Sequence, residues 1–222
     1  MLSNCEPPMN GTVIMADHQT AGRGQYGNKW IAHPKTNLTA SYYLDTRFVA
    51  VSKQFNFNKA VSLAIYDCLT HFCIKDCKIK WPNDFYVENK KIGGVLIENR
   101  IQGSNLKDSI VGIGLNVNQS VFSDMKYATS FFQVLRKKTD LMEVLKQLSI
   151  MLEKRYLQFK DGVSLDEEYL SLLFRKDEDS LFKTKDGIFK GCIVGVDEIG
   201  RLLIASEEGL HCFNIQEVAV VL

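Results

Sequence analysis

Two polar islands set the limits on what this chain can fold into: QTAGRGQYGNKW, from Gln19 to Trp30, and KWPND, from Lys80 to Asp84. The first holds Gly22, Gly24 and Gly27 around a single arginine, Arg23, a composition that bends around an anion. The second packs a cation, an aromatic ring, a rigid proline and a carboxylate into consecutive positions. Neither belongs inside an ordinary helix or strand. The fold must therefore carry both as site-forming loops, at the ends of elements that hold them still.

The chain has 222 residues, 45% of them hydrophobic, which suffices for one large core with a small satellite domain. Lys and Arg number 27 against 26 Asp and Glu, for a net charge of +1, so nothing global advertises nucleic-acid binding. No apolar run reaches the roughly 18 residues that span a bilayer. The opening MLSNCEPPMNG lacks a basic segment followed by an apolar one and does not read as a secretory signal. Cys68, Cys73 and Cys77, with His71 nearby, have no zinc-knuckle spacing, so no metal site is expected. Buried or incidental thiols fit a cytoplasmic protein.

Along the chain, Thr12 to Ala16 and Leu38 to Leu44 read as strands around the glycine loop. Asn58 is placed to cap a helix whose Ala60, Leu63, Ala64, Cys68 and Phe72 share one face. Lys78 to Trp81 reads as a strand that enters the second island. Phe85 to Val87, Ile92 to Ile97 and Ser109 to Val117 form a meander, turning at Glu88–Lys91 and Gln102–Asn105. Asp140 and Ser164 each stand three residues before a glutamate, as in a capping box, and open two further helices. The first has Leu141, Val144, Leu145, Leu148, Leu152, Tyr156 and Phe159 on its apolar face, the second Leu165, Tyr169, Leu172 and Leu173. After about Ser180 the helical period stops, and three or four short β runs with turns at Asp197–Gly200 and Glu207–Gly209 make a small β module.

Several positions carry chemistry with a bland alternative beside it. The G-x-G-x-x-G spacing of Gly22, Gly24 and Gly27 is not the dinucleotide fingerprint, because Asn28, Lys29, Trp30 and then Pro34 follow instead of a helix. It is an anion loop or a structural turn. Trp30 stacks on a flat ligand or anchors a core. Lys80, Asn83 and Asp84 are a fixed polar corner or a solvated turn. Lys91 is a surface charge, or it stands over a ligand lying on Gly93 and Gly94, which remove the side chains beneath it. Asn116 and Asn118 read a sugar or base edge, or cap a strand. His18, His33 and His211 are scattered, and no Ser-His-Asp or Cys-His arrangement is visible.

Taken together, QTAGRGQYGNKW, KWPNDFYVENKKIGGVLIE, GIGLNVN and Ala128-Thr129-Ser130 occur in the order, and with the residues, that resemble biotin protein ligases. The match runs from about Gly11 to Ser130, and the last β module resembles that family's SH3-like C-terminal domain. The resemblance implies an α/β (α+β) fold: a core like that of class II aminoacyl-tRNA synthetases with a mixed central sheet over residues 1–179, and a small SH3-like β-barrel over residues 180–222. It implies ATP-dependent formation of biotinyl-5′-AMP, with Mg²⁺, followed by transfer to a lysine of a biotin carboxyl carrier domain. Lys91, Arg23 and Asp84 match the catalytic positions: Lys91 toward the biotin carboxylate and acyl-phosphate oxygens, Asp84 toward the incoming lysine. Gln19, Gly22 and Gly24 match the segment around biotin, with Gln25 and Asn83 on the same ligand-binding loops. Gly93 and Gly94 match the pocket backbone, Trp30 the aromatic beside adenine, and Asn116 an adenylate contact.

The chain departs from the pattern in three ways. Many bacterial members read GRGRRGR, whereas Gln25, Tyr26 and Asn28 stand here in place of the later arginines, so a less cationic loop holds the adenylate less firmly. No Ser-Thr-Asn segment precedes Gln19, so the expectation is a catalytic unit lacking its usual first strand and helix. No helix-turn-helix domain precedes the match either, which implies a ligase without operator binding or any nucleic-acid partner. An exposed edge of the central sheet could pair two copies as a homodimer. The alternatives from the same superfamily are a lipoate or octanoate ligase or transferase. A different class is a non-catalytic carrier-binding remnant.

Overall fold

The computed structural model describes residues 8–122 and 127–221. The segment before Pro8, on which the missing-strand expectation partly falls, lies outside the described residues. Six strands make the main sheet: β1 (Val13–Met15), β2 (Leu38–Asp45), β3 (Cys77–Lys80), β4 (Asp84–Val87), β5 (Lys90–Gln102) and β6 (Asn105–Leu115). Their order is β1-β2-β6-β5-β4-β3, with every strand pairing antiparallel. Parallel neighbours enter as isolated bridges, Ile79 with Leu173 and Lys91 with Ala128. The meander appears as β4, β5 and β6, with Gly103 at φ 64° in the turn between the last two.

Alternation along the strands separates the two faces of this sheet. Leu38, Ala40, Tyr42 and Leu44 of β2 and Val111, Ile113 and Leu115 of β6 are buried in the core. Against that face lie α1 (Gln54–His71) and α3 (Leu141–Lys160). A short α2 (Phe131–Leu135) starts at Ser130, whose hydroxyl accepts the Gln133 N–H, and α4 (Asp166–Ser171) follows α3. Two helix starts differ from expectation. Helix α1 begins earlier, so Asn58 lies inside it, and its side chain accepts from the Ser62 hydroxyl instead of capping. Helix α4 begins after Leu165 with no side-chain cap, so the Ser164 box does not form, whereas Asp140 does accept the Met142 N–H of α3. In both misses burial of the apolar face overrides the local capping signal.

Helix α3 also buries a charge the apolar stripe does not foretell. Arg155 is 7% exposed. It is bonded to Asp67 of α1 at 2.7 and 3.0 Å and to Glu168 of α4 at 2.7 and 2.5 Å, which ties three helices together.

A second antiparallel sheet comprises β7 (Asp179–Thr184), β8 (Gly187–Val196), β9 (Leu202–Ser206), β10 (Gly209–Phe213) and β11 (Ala219–Val220), in the order β10-β9-β8-β7-β11. Both expected turns are present, between β8 and β9 and between β9 and β10. The sheet is joined to the main body by buried contacts: Phe182, Ile193, Leu202, Ile204 and Val218 belong to the common core. Gly200, at φ +97°, lies so close to Phe55 that an added Cβ would stand 2.4 Å from the ring, and its carbonyl accepts the Trp81 indole N–H at 2.9 Å.

Cys68 and Cys77 are buried, and burial pushes both thiols up to about 12. Cys73 and Cys212 are exposed. Because the thiolate is the reacting form, iodoacetamide at pH 8 should label Cys73 and Cys212 in the native protein and reach Cys68 and Cys77 only after unfolding. Peptide mass mapping reads this directly, and native labelling of Cys68 would contradict the packing.

Candidate active site

The face of the main sheet away from the helices carries a cavity of about 340 Å³. Its floor follows from strand register. Thr39, Gly114, Gly94 and Asp84 are cross-strand partners in one row over β2, β6, β5 and β4. Two adjacent glycines in that row make a flat patch, and what lies on it shows why they are glycines. A Cβ on Gly114 would fall 2.4 Å from the Trp30 ring, and one on Gly94 would fall 2.8 Å from Asp84 Oδ1 and 3.3 Å from Lys91 Cε.

Lys91 reaches this face through a β-bulge. Phe85 pairs with Gly93, but Tyr86 pairs with Lys91, so Ile92 is an extra residue in β5 and the alternation is shifted. The bulge turns the Lys91 side chain to the same side as Gly94. Its ammonium lies 2.6 Å from Asp84 Oδ1 and 5.9 Å from the centroid of the Trp30 ring. Both partners of the ion pair are about one-third exposed. The Lys91 backbone is fixed from the other side: its N–H donates to Tyr127 at 2.7 Å, and its carbonyl accepts from Thr129 at 2.9 Å. The Ala128-Thr129-Ser130 motif thus acts on the strand that presents the lysine.

The glycine loop closes the opposite wall. The Trp30 N–H donates to Gly22 O at 3.0 Å, and Arg23 and Lys29 bridge as a small hairpin around a 3₁₀ turn at Gln25–Gly27. The Gly24 N–H is spent within the loop on Asn28 O at 2.7 Å. The Arg23 guanidinium is 72% exposed and lies 3.3 Å from Glu98 of β5. Trp30 has its indole N–H buried with no partner among the described residues.

The cavity brings together Arg23, Asp84 and Lys91 with Gln19, Gly24, Gln25, Trp30, Asn83 and Gly94. Three expected residues stand off this wall. Gly22 faces a second hollow, on the outer side of the loop. Gly93 points to the core, where an added Cβ would lie 2.5 Å from Leu115. Asn116 is buried, and its amide donates to Thr129 O at 3.0 Å while its N–H donates to Ile92 O at 2.8 Å. Its role in the structure is to hold the segment that holds Lys91. Asn83 touches the cavity but is also structural, since it exchanges hydrogen bonds with Val95 through its side-chain amide and its backbone carbonyl. Lys80 points away. Burial lowers its pKa, with Lys91 and Arg175 adding to that and Asp84 opposing it, and its ammonium sits 4.8 Å over the Tyr86 ring.

Sequence reasoning missed Glu98, Ile215 and Gln216 on the cavity wall. Glu98 was legible by parity, two and four residues beyond Leu96 and Gly94 on the same face. The other two come from the second sheet and had no local signal.

A glycine-floored cleft on the open face of an antiparallel sheet, with a lysine and an arginine loop converging on it, makes a candidate anion-binding site in an α/β protein. Residues 2–116 match the model of the biotin/lipoate A/B protein ligase family. The chain belongs to that family. Its structure is similar to a biotin protein ligase from Aquifex aeolicus in complex with biotin and ATP: TM-score 0.81, 29% identity, covering 99% of this chain and 92% of that one. It is 29% identical over 218 residues to the bifunctional ligase/repressor BirA of Bacillus subtilis, 94% of this chain but only 66% of the relative. It is 37% identical over 114 residues to the chloroplastic biotin–protein ligase 1 of Arabidopsis thaliana, 49% of this chain and 30% of that protein. Among the described residues no helix is long and apolar enough to cross a membrane.

Proposed function

We propose that this protein is an ATP-dependent biotin protein ligase, with residues 1–179 as the catalytic unit and 180–222 as an SH3-like unit packed on it. It joins biotin to ATP as biotinyl-5′-AMP and passes the biotinyl group to a lysine of a biotin carboxyl carrier domain. The observation that carries this reading is the convergence of Lys91 and the Arg23 loop on one glycine-floored cavity, in a chain that superposes along its length on a ligase bound to biotin and ATP.

The chemistry asks for what this cavity offers. In the first step a carboxylate oxygen of biotin bonds to the α-phosphorus of ATP, and the bond to the leaving pyrophosphate breaks. Two anions must approach, so their repulsion is the main obstacle, and preorganised cations in a shielded site lower it. Lys91 sits where the carboxylate and α-phosphate meet, and Arg23 covers them from the loop. In the structure Asp84 and Glu98 neutralise these two cations. Arrival of the substrates draws Lys91 from Asp84 toward the acyl phosphate. Asp84 is then free to accept a proton from the carrier lysine, whose amine attacks the acyl carbon and expels AMP. The Trp30 ring lies beside the adenine, and its unpaired N–H donates within the same pocket.

Magnesium fits this wall as a companion of the triphosphate. Among the described residues no group of three His, Cys, Asp or Glu side chains could cage a metal. Mg²⁺ usually takes phosphate oxygens, water and one or two carboxylates, and Asp84 and Glu98 are the carboxylates on the wall. Bound there, the ion would neutralise charge on the phosphates.

Mass detection of biotinyl-AMP after incubation with biotin and ATP, followed by the gain of one biotinyl group on a carrier lysine, tests the function. Lipoyl- or octanoyl-AMP in its place would move the protein to the lipoate branch, and carrier binding without any adenylate would make it a remnant. Gln25, on the cavity wall where an arginine is common, sets a further expectation. Gln25→Arg should lengthen the half-life of enzyme-bound biotinyl-AMP about fivefold, since one added hydrogen bond nets roughly 1 kcal/mol. Release timed by rapid filtration checks this, and an unchanged half-life would show that the loop charge does not govern retention.

A further inference from the structure

The turn between β10 and β11 belongs to the second sheet, yet its tip, Ile215 and Gln216, forms part of the catalytic cavity's wall. The turn is built to hold that tip. The Asn214 N–H donates to Glu217 Oε2 at 2.6 Å, the Asn214 side-chain amide donates to the same carboxylate at 3.2 Å, and the Glu217 N–H donates to Asn214 O at 3.1 Å. Gln216 lies between these clamps at φ +75°, in the left-handed region that a residue with a Cβ adopts only at a cost. Its carboxamide has no hydrogen-bond partner among the described residues. A rigid turn thus holds an uncommitted donor and acceptor at the cavity's rim.

The same two residues also line an open groove of about 1020 Å³ on the second sheet, beside Phe189, His211 and Phe213. These rings stack, with Phe189 and Phe213 centroids 5.8 Å apart and His211 and Phe213 6.0 Å apart. Gln216 is therefore the lip where the cavity and the groove meet. Small substrates are held inside. The ligand that must cross the lip is the acceptor: a lysine side chain reaches in while the polypeptide that bears it stays outside. A carboxamide at that point can donate to a peptide carbonyl and accept from a peptide N–H together.

We propose that Gln216 is a positioning residue for the second half-reaction, pairing with the acceptor backbone next to its lysine so that the amine enters along Asp84. This rests on the ligase reading. It assigns the second sheet a share in acceptor recognition through one side chain, and it leaves adenylate formation to the main sheet.

The full-length protein tests it through Gln216→Ala, Gln216→Gly and Gln216→Asn. The glycine variant relaxes the backbone and the alanine variant does not, so an effect common to both belongs to the lost carboxamide. Biotin-dependent ATP–pyrophosphate exchange reports the first half-reaction. Transfer from the adenylate to hydroxylamine reports a small nucleophile that needs no lip, and transfer to an apo carrier domain of an acetyl-CoA carboxylase reports the acceptor. Expected are a rise in carrier KM of about 5–20-fold for Ala and Gly, partial recovery in Asn, and exchange and hydroxylamine trapping within about twofold of the parent. A carrier KM that does not move would overturn the proposal. So would a fall in exchange parallel to the fall in transfer, because Gln216 would then serve the nucleotide. A parent protein that shows no exchange at all would sink the ligase reading, and this one with it.

Discussion

Lys91→Ala should slow biotin-dependent exchange of labelled pyrophosphate into ATP by at least about 100-fold, equivalent to roughly 2.7 kcal/mol of transition-state stabilisation. The ammonium stands over the glycine floor, 2.6 Å from Asp84. No other lysine of the meander reaches this wall. Negative charge gathers there only as the carboxylate closes on the α-phosphate, so the loss should appear in the rate of the chemical step more than in biotin binding. The alanine variant should keep its fold, because the side chain is one-third exposed and its removal leaves Asp84 with access to water. Circular dichroism and the thermal midpoint control for that. Exchange near the parent rate would remove Lys91 from the reaction and with it the electrostatic account of the site.

Arg155→Met should destabilise the protein by about 3 kcal/mol, which lowers Tm by about 6–12 °C in a chain of this size. The cost comes mainly from what is left behind. Asp67 is 18% exposed and loses both hydrogen bonds to the guanidinium, so a carboxylate is stranded between α1 and α3. Glu168 is 43% exposed and can turn to solvent, and it adds little. Combining Arg155→Met with Asp67→Asn should therefore recover part of the loss, which a double-mutant cycle in urea would measure. A single variant as stable as the parent would show that the buried pair only offsets its own desolvation.

Of the candidate site, the loop and the corner were legible because their residue types fit nothing else. Gly22 and the pair Gly93–Gly94 mark backbone that a side chain would obstruct, Gly27 a turn at φ +80°, and Pro82 a stiff corner. In the structure Gly22, Gly94 and Gly114 are the places where an added Cβ would run into Trp30 or the Asp84–Lys91 pair. The strands were legible from alternation, and the turns between them from their small polar residues. Two helix starts were not, because Asn58 and Ser164 carry capping chemistry that the burial of α1 and α4 overrides, whereas Asp140 does cap α3. Nor was Arg155, a cation on an otherwise apolar stripe, whose partners lie on two other helices.

What the amino-acid order determined unaided is the inventory: a bending arginine loop, a stiff polar corner, a lysine beside two glycines, and alternating strands to carry them. Those properties are local, written in side-chain volume, backbone freedom and period. Tertiary structure alone decided where the inventory meets. An extra residue in β5 turns Lys91 onto the open face, cross-strand register sets Gly94 beside Gly114, and the second sheet folds back to lay Gln216 on the rim. Each of these depends on pairing between residues far apart in the chain, which no window of neighbours encodes.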